Sequence, residues 1–328
     1  MASRVYVGQA PPDQRTISEA LEWSGIARGI RTSDGVFVKP NLTFPVYREG
    51  VTTSPALIEL ILRALSDYGK KVYVGESDGG YGAYRIEDAF ANFGLAEMCR
   101  RTGAKLVNLS EVETVDVALR SGRGEVVLAL PRLLCQGGVH TLTVPVPKVH
   151  CMTGISLSLK NQWGCIPDPM RLRHHNHFND IIVDLNKVLN VRYSVVDGAY
   201  GLDVNGPAME GTAVPLGWFL ASADPFAADV VAAHLIGQDL RRISHYRGAR
   251  RLGLVPDPRS IVTNVPKASL AGRVTPFRLK RNLWNCVAKS TWYSRSWSHF
   301  VYESRAAKTL HRVMYTFRER PKEYDHAG

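Results

Sequence analysis

From Gly35 to Leu109 the chain alternates between two hydrophobic periods, and this alternation restricts the fold more than any other feature. GVFVK (35–39) is a short apolar run closed by Pro40, which bars Lys39 from helical backbone, so it reads as a buried strand whose end carries Lys39 and Asn41. TTSPALIELILRALSDYG then sets Leu57, Ile61, Leu62 and Leu65 at helical spacing, with Ser54 as cap candidate, Pro55 in the first turn and Gly69 as the stop. KKVYVG is a second strand, followed by the loop ESDGGYGAY, a helix predicted from about Ile86 to Arg101, and the strand LVNL. Strand, helix, strand, helix, strand at this spacing requires a parallel sheet with right-handed crossovers.

Val115 to Val146 is strand-rich, with VDVAL, VVLAL and VHTLTV separated by Gly and Pro, and some antiparallel pairing is expected there. FNDIIVDLNKVLN puts Phe178, Ile181, Ile182, Leu185, Val188 and Leu189 on one helical face, and YSVVDG returns as a strand. Gly198 to Gly211 reads as a glycine-dense loop without an element of its own. PLGWFLAS is a strand, and DPFAADVVAAHLIG a helix with Asp224 at its cap and Pro225 at its first position. The expected fold class is α/β, a mostly parallel sheet with flanking helices, in a body of residues 1–275 with room for two lobes of about 1–140 and 141–275. Residues 276–328 read as a basic, aromatic-rich helical extension in which Trp284, Trp292, Tyr293, Trp297, Phe300 and Tyr302 interleave with basic residues.

With 328 residues, 45% of them hydrophobic, the chain can bury a substantial core, which argues against disorder. No run of about eighteen uncharged apolar residues appears, and MASRVYVGQAPPDQR lacks the apolar stretch of a signal peptide, so a cytoplasmic location is expected. Cys99, Cys135, Cys151, Cys165 and Cys286 are scattered, without the CxxC spacing of a structural zinc, a redox dithiol or an iron–sulfur cluster, and read as reduced thiols. The net charge of +11 belongs to the C-terminal quarter: residues 241–328 hold 19 Lys/Arg against 5 Asp/Glu, and residues 1–240 hold 22 against 25.

Ligands of an open parallel sheet bind outside the C-terminal strand ends. Those ends should present Lys39, Asn41, Glu76, Asp78, Asp197 and Asp224. The loop PVPKVHCMTGISLSLKNQWGCIPDPMRLRHHNHFN, which gathers Lys148, His150, Lys160, Asn161, His174, His175 and His177, should be the floor of the site. Ammonium and imidazole groups collected on loops are costly to hold together unless an anion or a metal sits among them. Lys39, Asn41, Glu76, Asp78, Lys148, Asn161, Asp197 and Asp224 are therefore the candidate substrate-binding residues, and His150, Lys160, His175 and His177 the candidate acid–base residues. His174, His175 and His177 are candidate ligands of a divalent metal, or equally a solvated polar loop. Asp197 and Asp224 have competing roles as turn or cap residues. Buried inert thiols are the plainer explanation for Cys151 and Cys165. The glycines of GESDGGYG match neither a P-loop nor a dinucleotide fingerprint.

The ordered set VKPNL, TTSP, VGES, PKVH, SLKNQWG with a histidine-rich loop, VVDG, NGP and ASADPFAADVVAAHLIG resembles the DUF362 family of uncharacterised proteins over roughly residues 35–240. Some members of that family carry a ferredoxin-like cluster module, which implies redox work; this chain lacks the cysteines, so no intrinsic cluster is expected. A more distant likeness is to the lactate racemase family, because His150, Lys160 and His175 or His177 fall in a similar order and spacing. That resemblance implies a two-lobed α/β architecture with its cleft at this loop, a lysine attached to a nickel-pincer nucleotide, one acid–base histidine and one metal-binding histidine.

The leading expectation is an enzyme acting on a small carboxylate- or phosphate-bearing substrate by proton or hydride movement, as in isomerisation, epimerisation or a related redox step. The alternative is a non-enzymatic protein whose residues 276–328 bind nucleic acid or an anionic membrane surface, with the α/β body as scaffold. The same segment has two further readings, as an arm docked on the core and as a lid or homodimer contact that steers acidic substrates into the cleft.

Overall fold

The computed structural model describes residues 2–300, apart from positions 123, 208–210, 282, 295 and 297–299. The first half runs β1 (Arg4–Gln9), α1 (Gln14–Trp23), α2 (Ile26–Arg31), β2 (Gly35–Pro40), α3 (Pro55–Ser66), β3 (Lys71–Glu76), α4 (Ile86–Asn92), α5 (Leu95–Thr102) and β4 (Lys105–Asn108). A hairpin, β5 (Thr114–Ser121) and β6 (Gly124–Pro131), leads through α6 (Arg132–Cys135) to β7 (Val139–Val144), β8 (Lys148–His150), β9 (Gly154–Ser156) and the short helix α7 (Ser158–Asn161). Two 3₁₀ turns, Gln162–Cys165 and Arg171–His177, precede α8 (Phe178–Val188), β10 (Val191–Gly206), β11 (Thr212–Ser222) and α9 (Pro225–Leu235). The chain continues through α10 (Ser244–Arg251), β12 (Val262–Thr263), α11 (Lys267–Ala271) and α12 (Leu283–Tyr293).

Among the described residues, ten strands form one mixed sheet in the order β12-β1-β11-β10-β7-β2-β3-β4, with β8 pairing β10 and β9. β10, β7, β2, β3 and β4 are mutually parallel along this path, whereas β11 is antiparallel to both β10 and β1. The α/β class with a mostly parallel sheet is thus the observed one. Strand β2 explains why the sheet is double-layered. Phe37 faces a core shared with α8, α9 and α10, while Val36 and Val38 face a second core built with α1 to α5. Both faces are covered, so the strand is buried throughout and apolar from Gly35 to Val38 instead of alternating. In α3, Leu57, Ile58, Ile61, Leu62 and Leu65 are buried on the second core, each contributing about 2 kcal/mol by leaving water.

Three local expectations differ from the structure. The helix predicted over 86–101 is broken into α4 and α5 by Gly94, which sits at φ 66° and redirects the chain. The glycine-dense segment after Asp197 is largely strand, since β10 continues to Gly206 against β11. Its glycines answer to close neighbours: a Cβ on Gly206 would lie 2.4 Å from the Val149 carbonyl oxygen, and one on Gly201 would lie 2.7 Å from the Phe277 ring. Finally, PLGWFLAS runs antiparallel, so Asp224 leaves the sheet beside Ser3 at the start of β1 and not at the end of the parallel strands. The antiparallel pairing expected in 115–146 is present in the β5–β6 hairpin, a separate two-stranded sheet.

Among the described residues no helix is long and apolar enough to cross a membrane. The predicted C-terminal helical extension is described only to residue 300, where α12 is its main element; residues 301–328 lie outside the described residues.

Candidate active site

The C-terminal ends of β2 and β3, strand β8, helix α7 and the 3₁₀ turn 171–177 enclose a cavity of about 490 Å³. Asn41 and Leu42 line it from β2, Glu76 and Ser77 from β3, Lys148, His150 and Ser156 from β8 and β9, Lys160 and Asn161 from α7, and Arg171 and His175 from the 3₁₀ turn. Asn285 of α12 reaches its rim, and Arg281 Nε donates to the Cys151 carbonyl oxygen at 2.6 Å just before that helix.

Three lysines meet here, Lys39 and Lys148 buried and Lys160 half-buried, and they are served differently. Lys39, 0% exposed, is ion-paired with Glu76 and donates to the Pro40 carbonyl oxygen at 2.8 Å. Glu76 also accepts from the Ser77 and Leu42 amides at 3.1 and 3.4 Å, so its negative charge is spent on the protein. Lys148, 1% exposed, has its ammonium pKa pushed well down by burial and then by Lys160 and Lys39, with Asp197 opposing. Lys160 keeps part of its surface open to the cavity but is otherwise surrounded by protein, and burial lowers it to about 7, with Cys151 acting weakly the other way. Among the described residues neither Lys148 nor Lys160 has an ion-pair partner.

Lys160 sits on the short helix α7, because Asp229 of α9 organises the backbone ahead of it. The Asp229 carboxylate accepts from the Ser158 amide at 2.8 Å, from the Leu159 amide at 3.0 Å and from the Tyr246 hydroxyl, capping a helix whose own N-cap, Leu157, offers no side-chain acceptor. Burial raises the Asp229 carboxyl to about 6 in spite of these bonds. From the other side, Asn186 Nδ2 donates to the Leu159 carbonyl oxygen at 2.8 Å. Asn161 Nδ2 donates to the Lys39 carbonyl oxygen at 3.0 Å and to Thr143 Oγ1 at 2.9 Å, tying α7 to β2 and β7.

Two imidazoles complete the wall in opposite tautomers. His150 Nδ1 accepts from the Met152 amide at 3.1 Å, so the neutral ring carries its proton on Nε2. His175 Nδ1 lies 3.1 Å from the Leu172 carbonyl oxygen, which can only accept, so that ring is protonated on Nδ1 and Nε2 is its acceptor. Burial, then the charge of Lys160, pushes His150 well below the usual histidine range and His175 down to about 3. Both rings are neutral at pH 7. One therefore offers an N–H and the other a lone pair.

Three of the other expected site residues do not line the cavity. Asp78 Oδ1 accepts from the Ile86 amide at 2.8 Å and anchors the start of α4. Asp197 accepts from the Ser54 amide at 2.7 Å and from the Ala199 amide at 3.3 Å, bracing the entry to α3 near Lys148. Asp224 caps α9 through the Phe226 and Ala227 amides at 3.0 and 3.2 Å, away from the cavity because β11 is antiparallel. Asn41 lines the cavity while its side-chain oxygen accepts from the Thr43 amide at 3.2 Å.

The three clustered histidines do not converge. In a 3₁₀ turn residues three apart are eclipsed, so His174 and His177 share one side and His175 points to another. His175 faces the cavity, His177 Nδ1 lies 2.9 Å from Ser121 Oγ of the hairpin, and His174 Nε2 lies 3.2 Å from Arg173 Nε. Among the described residues no three His, Cys, Asp or Glu side chains are grouped to hold a metal ion. The residues present do not fit the metal-ligand set expected at His174, His175 and His177.

One lining residue, Arg171, and one buried residue coupled to Lys160, His245, were not singled out in the sequence. Arg171 lines the cavity and donates to the carbonyl oxygens of Asp78 at 2.7 Å and of Ile166 and Asp168 at 3.3 Å. His245 of α10, fully buried and held near 3 by burial and Lys160, has no hydrogen-bond partner on either ring nitrogen among the described residues.

A family model described as a domain of unknown function, DUF362, matches residues 36–234. The chain is 26% identical over 257 residues to the thylakoid-associated protein sll1697 of Synechocystis sp., the match covering 74% of each chain. The lactate racemase apoprotein of Thermoanaerobacterium thermosaccharolyticum superposes over 77% of this chain with 12% identity and a TM-score of 0.39. A Thermotoga maritima protein of known crystal structure superposes over 74% of this chain with 13% identity and a TM-score of 0.36. The chain spans 57% and 60%, respectively, of those two structures.

Proposed function

The chain belongs to the DUF362 family, and from that premise we propose that it is an enzyme that binds a small carboxylate- or phosphate-bearing molecule and moves a proton on it, as in an isomerisation or epimerisation. The observation that carries this reading is the meeting of Lys148, His150, Lys160 and His175 on one cavity whose lining carboxylate among the described residues, Glu76, is already committed to Lys39. Burying amines without counter-charge is unfavourable, and an anion entering the cavity would restore their charge and convert that cost into affinity. Buried Arg171 adds a permanent positive charge on the same wall.

The imidazoles supply the chemistry. With its proton on Nε2, His150 can donate to a substrate oxygen, and His175 can accept through its Nε2. A cavity of about 490 Å³ suits a small molecule and excludes a polymer. Among the described residues, every one that lines the cavity except Asn285 lies in the α/β body, and the basic segment around Arg281 and Asn285 can steer anions inward.

The test is a thermal-shift screen of small mono- and dicarboxylates and phosphates, followed by turnover assays on whatever binds. A subset should raise the melting temperature of the wild-type protein and not that of Lys148→Gln. Lys160→Ala and His150→Ala should abolish turnover with circular dichroism unchanged. A panel without stabilisation, or full turnover in both alanine variants, would refute the proposal.

A further inference from the structure

Resting on the acid–base reading of this cavity, we propose that Lys160 is a carbonyl-reactive amine and that the substrate class is a small anionic aldehyde or ketone, such as a 2-oxo acid, captured as an imine. Geometry separates Lys160 from its neighbours. Lys39 is paired with Glu76, and Lys148 feels the Asp197 carboxylate. Lys160 has no carboxylate partner among the described residues, yet its helix is fixed by Asp229, Asn186 and Asn161. A lysine that served only as a point charge would need no such fixing, whereas a nucleophile must be aimed and must keep its lone pair. Among the described residues, the titratable groups that feel it are Cys151, His150, Lys148, His175 and His245, none of which is a carboxylate. Desolvation in that company leaves about half of the amine neutral near pH 7.

Each wall then has a task. Lys148 and Arg171 hold the carboxylate of the 2-oxo acid, which turns its carbonyl toward Lys160 Nζ. The Nζ lone pair forms the C–N bond as the carbonyl π pair moves onto oxygen, where the His150 Nε2–H stabilises the alkoxide. His175 Nε2 relays one Nζ proton to that oxygen, giving the carbinolamine. A second Nζ proton follows as the C–O bond breaks, and water leaves. The amine and the carbonyl become imine and water, both lost protons ending on the expelled oxygen, with no oxidant or reductant consumed.

The experiment is reductive trapping. The full chain is incubated with pyruvate or glyoxylate and sodium cyanoborohydride, digested, and mapped by mass spectrometry. Trapping at Lys160 should exceed that at exposed lysines by roughly a hundredfold at pH 7, because ordinary lysines are almost fully protonated there. It should rise with pH through about 7, vanish in Lys160→Arg, and fall for pyruvate but not for acetone in Lys148→Gln. If pyruvate stabilises the protein against heat while Lys160 remains unmodified, the imine is wrong and the anion site stands. If neither oxo acid binds or labels, and the anion panel is also silent, both readings fall.

Discussion

Replacing Lys160 with methionine should make the protein more stable, by an amount that depends on pH. An amine lowered from 10.5 to about 7 in the folded chain is penalised by roughly 5 kcal/mol when fully charged, at about 1.4 kcal/mol per pH unit. The sign follows from linkage: the folded-state value is depressed, so the penalty is complete below pH 7 and shrinks as pH rises toward 10.5, where the unfolded chain also releases its proton. Water in the cavity offsets part of this, since Lys160 is not wholly sealed. Methionine keeps the length of the stem without the charge. Lys160→Met is expected to gain about 2–3 kcal/mol at pH 6.5, about half that near pH 9 and nothing near pH 10.5. Urea unfolding at these pH values, followed by tryptophan fluorescence and circular dichroism together to verify a single transition, reads the difference. A Met variant less stable than wild type at pH 6.5, or a gain that ignores pH, would show that Lys160 has a counter-charge and would refute the reasoning.

Glu76→Gln should cost roughly 3–5 kcal/mol by leaving the Lys39 ammonium buried and unpaired, and the double change Lys39→Met/Glu76→Leu should recover most of it in the same urea titration. Asp229→Ala removes the acceptor for two backbone amides and the Tyr246 hydroxyl; about 3 kcal/mol of stability should be lost, and Lys160 trapping should fall further than the residual folded fraction explains. Binding of a small dicarboxylate at pH 8 should take up a proton, visible as calorimetric heat that scales with buffer ionisation enthalpy, and its affinity should weaken about tenfold per pH unit above 7. Equal heats in all buffers would mean that the lysines are already charged in the empty cavity.

Much of the architecture was legible because Gly35 to Asn108 announces strands and helices through period alone, and the outcome is the parallel run β2, β3, β4. What periodicity cannot carry is direction: PLGWFLAS reads as a strand either way, and its antiparallel pairing is what sends Asp224 to the opposite end of the strands from the cavity. Nor does it carry close approach, so the glycines after Asp197 resemble a loop although they permit a strand to pass under Phe277 and Val149. Within the site, Lys148, His150 and Lys160 were visible as costly charges in a small-residue context. The division of labour among the lysines was not, because the Glu76 that neutralises Lys39 lies 37 positions away. The histidine run misleads for a local reason, since a 3₁₀ turn sends adjacent imidazoles in different directions. Arg171 and His245 were not singled out: one sits between Met170 and Leu172 just ahead of the histidine run, the other in an arginine-rich stretch, and only tertiary packing buries them.

Lysine-selective ¹³Cε labelling, with Lys160→Arg used to assign the resonance, allows the Lys160 amine to be titrated by NMR in the empty protein and again with a bound dicarboxylate. The amine should titrate near 7 when the cavity is empty and move up toward the ordinary lysine range of about 10.4 when the anion is present. A midpoint already near 10 in the empty protein, or one that the anion leaves in place, would contradict the existence of an uncompensated, anion-seeking site.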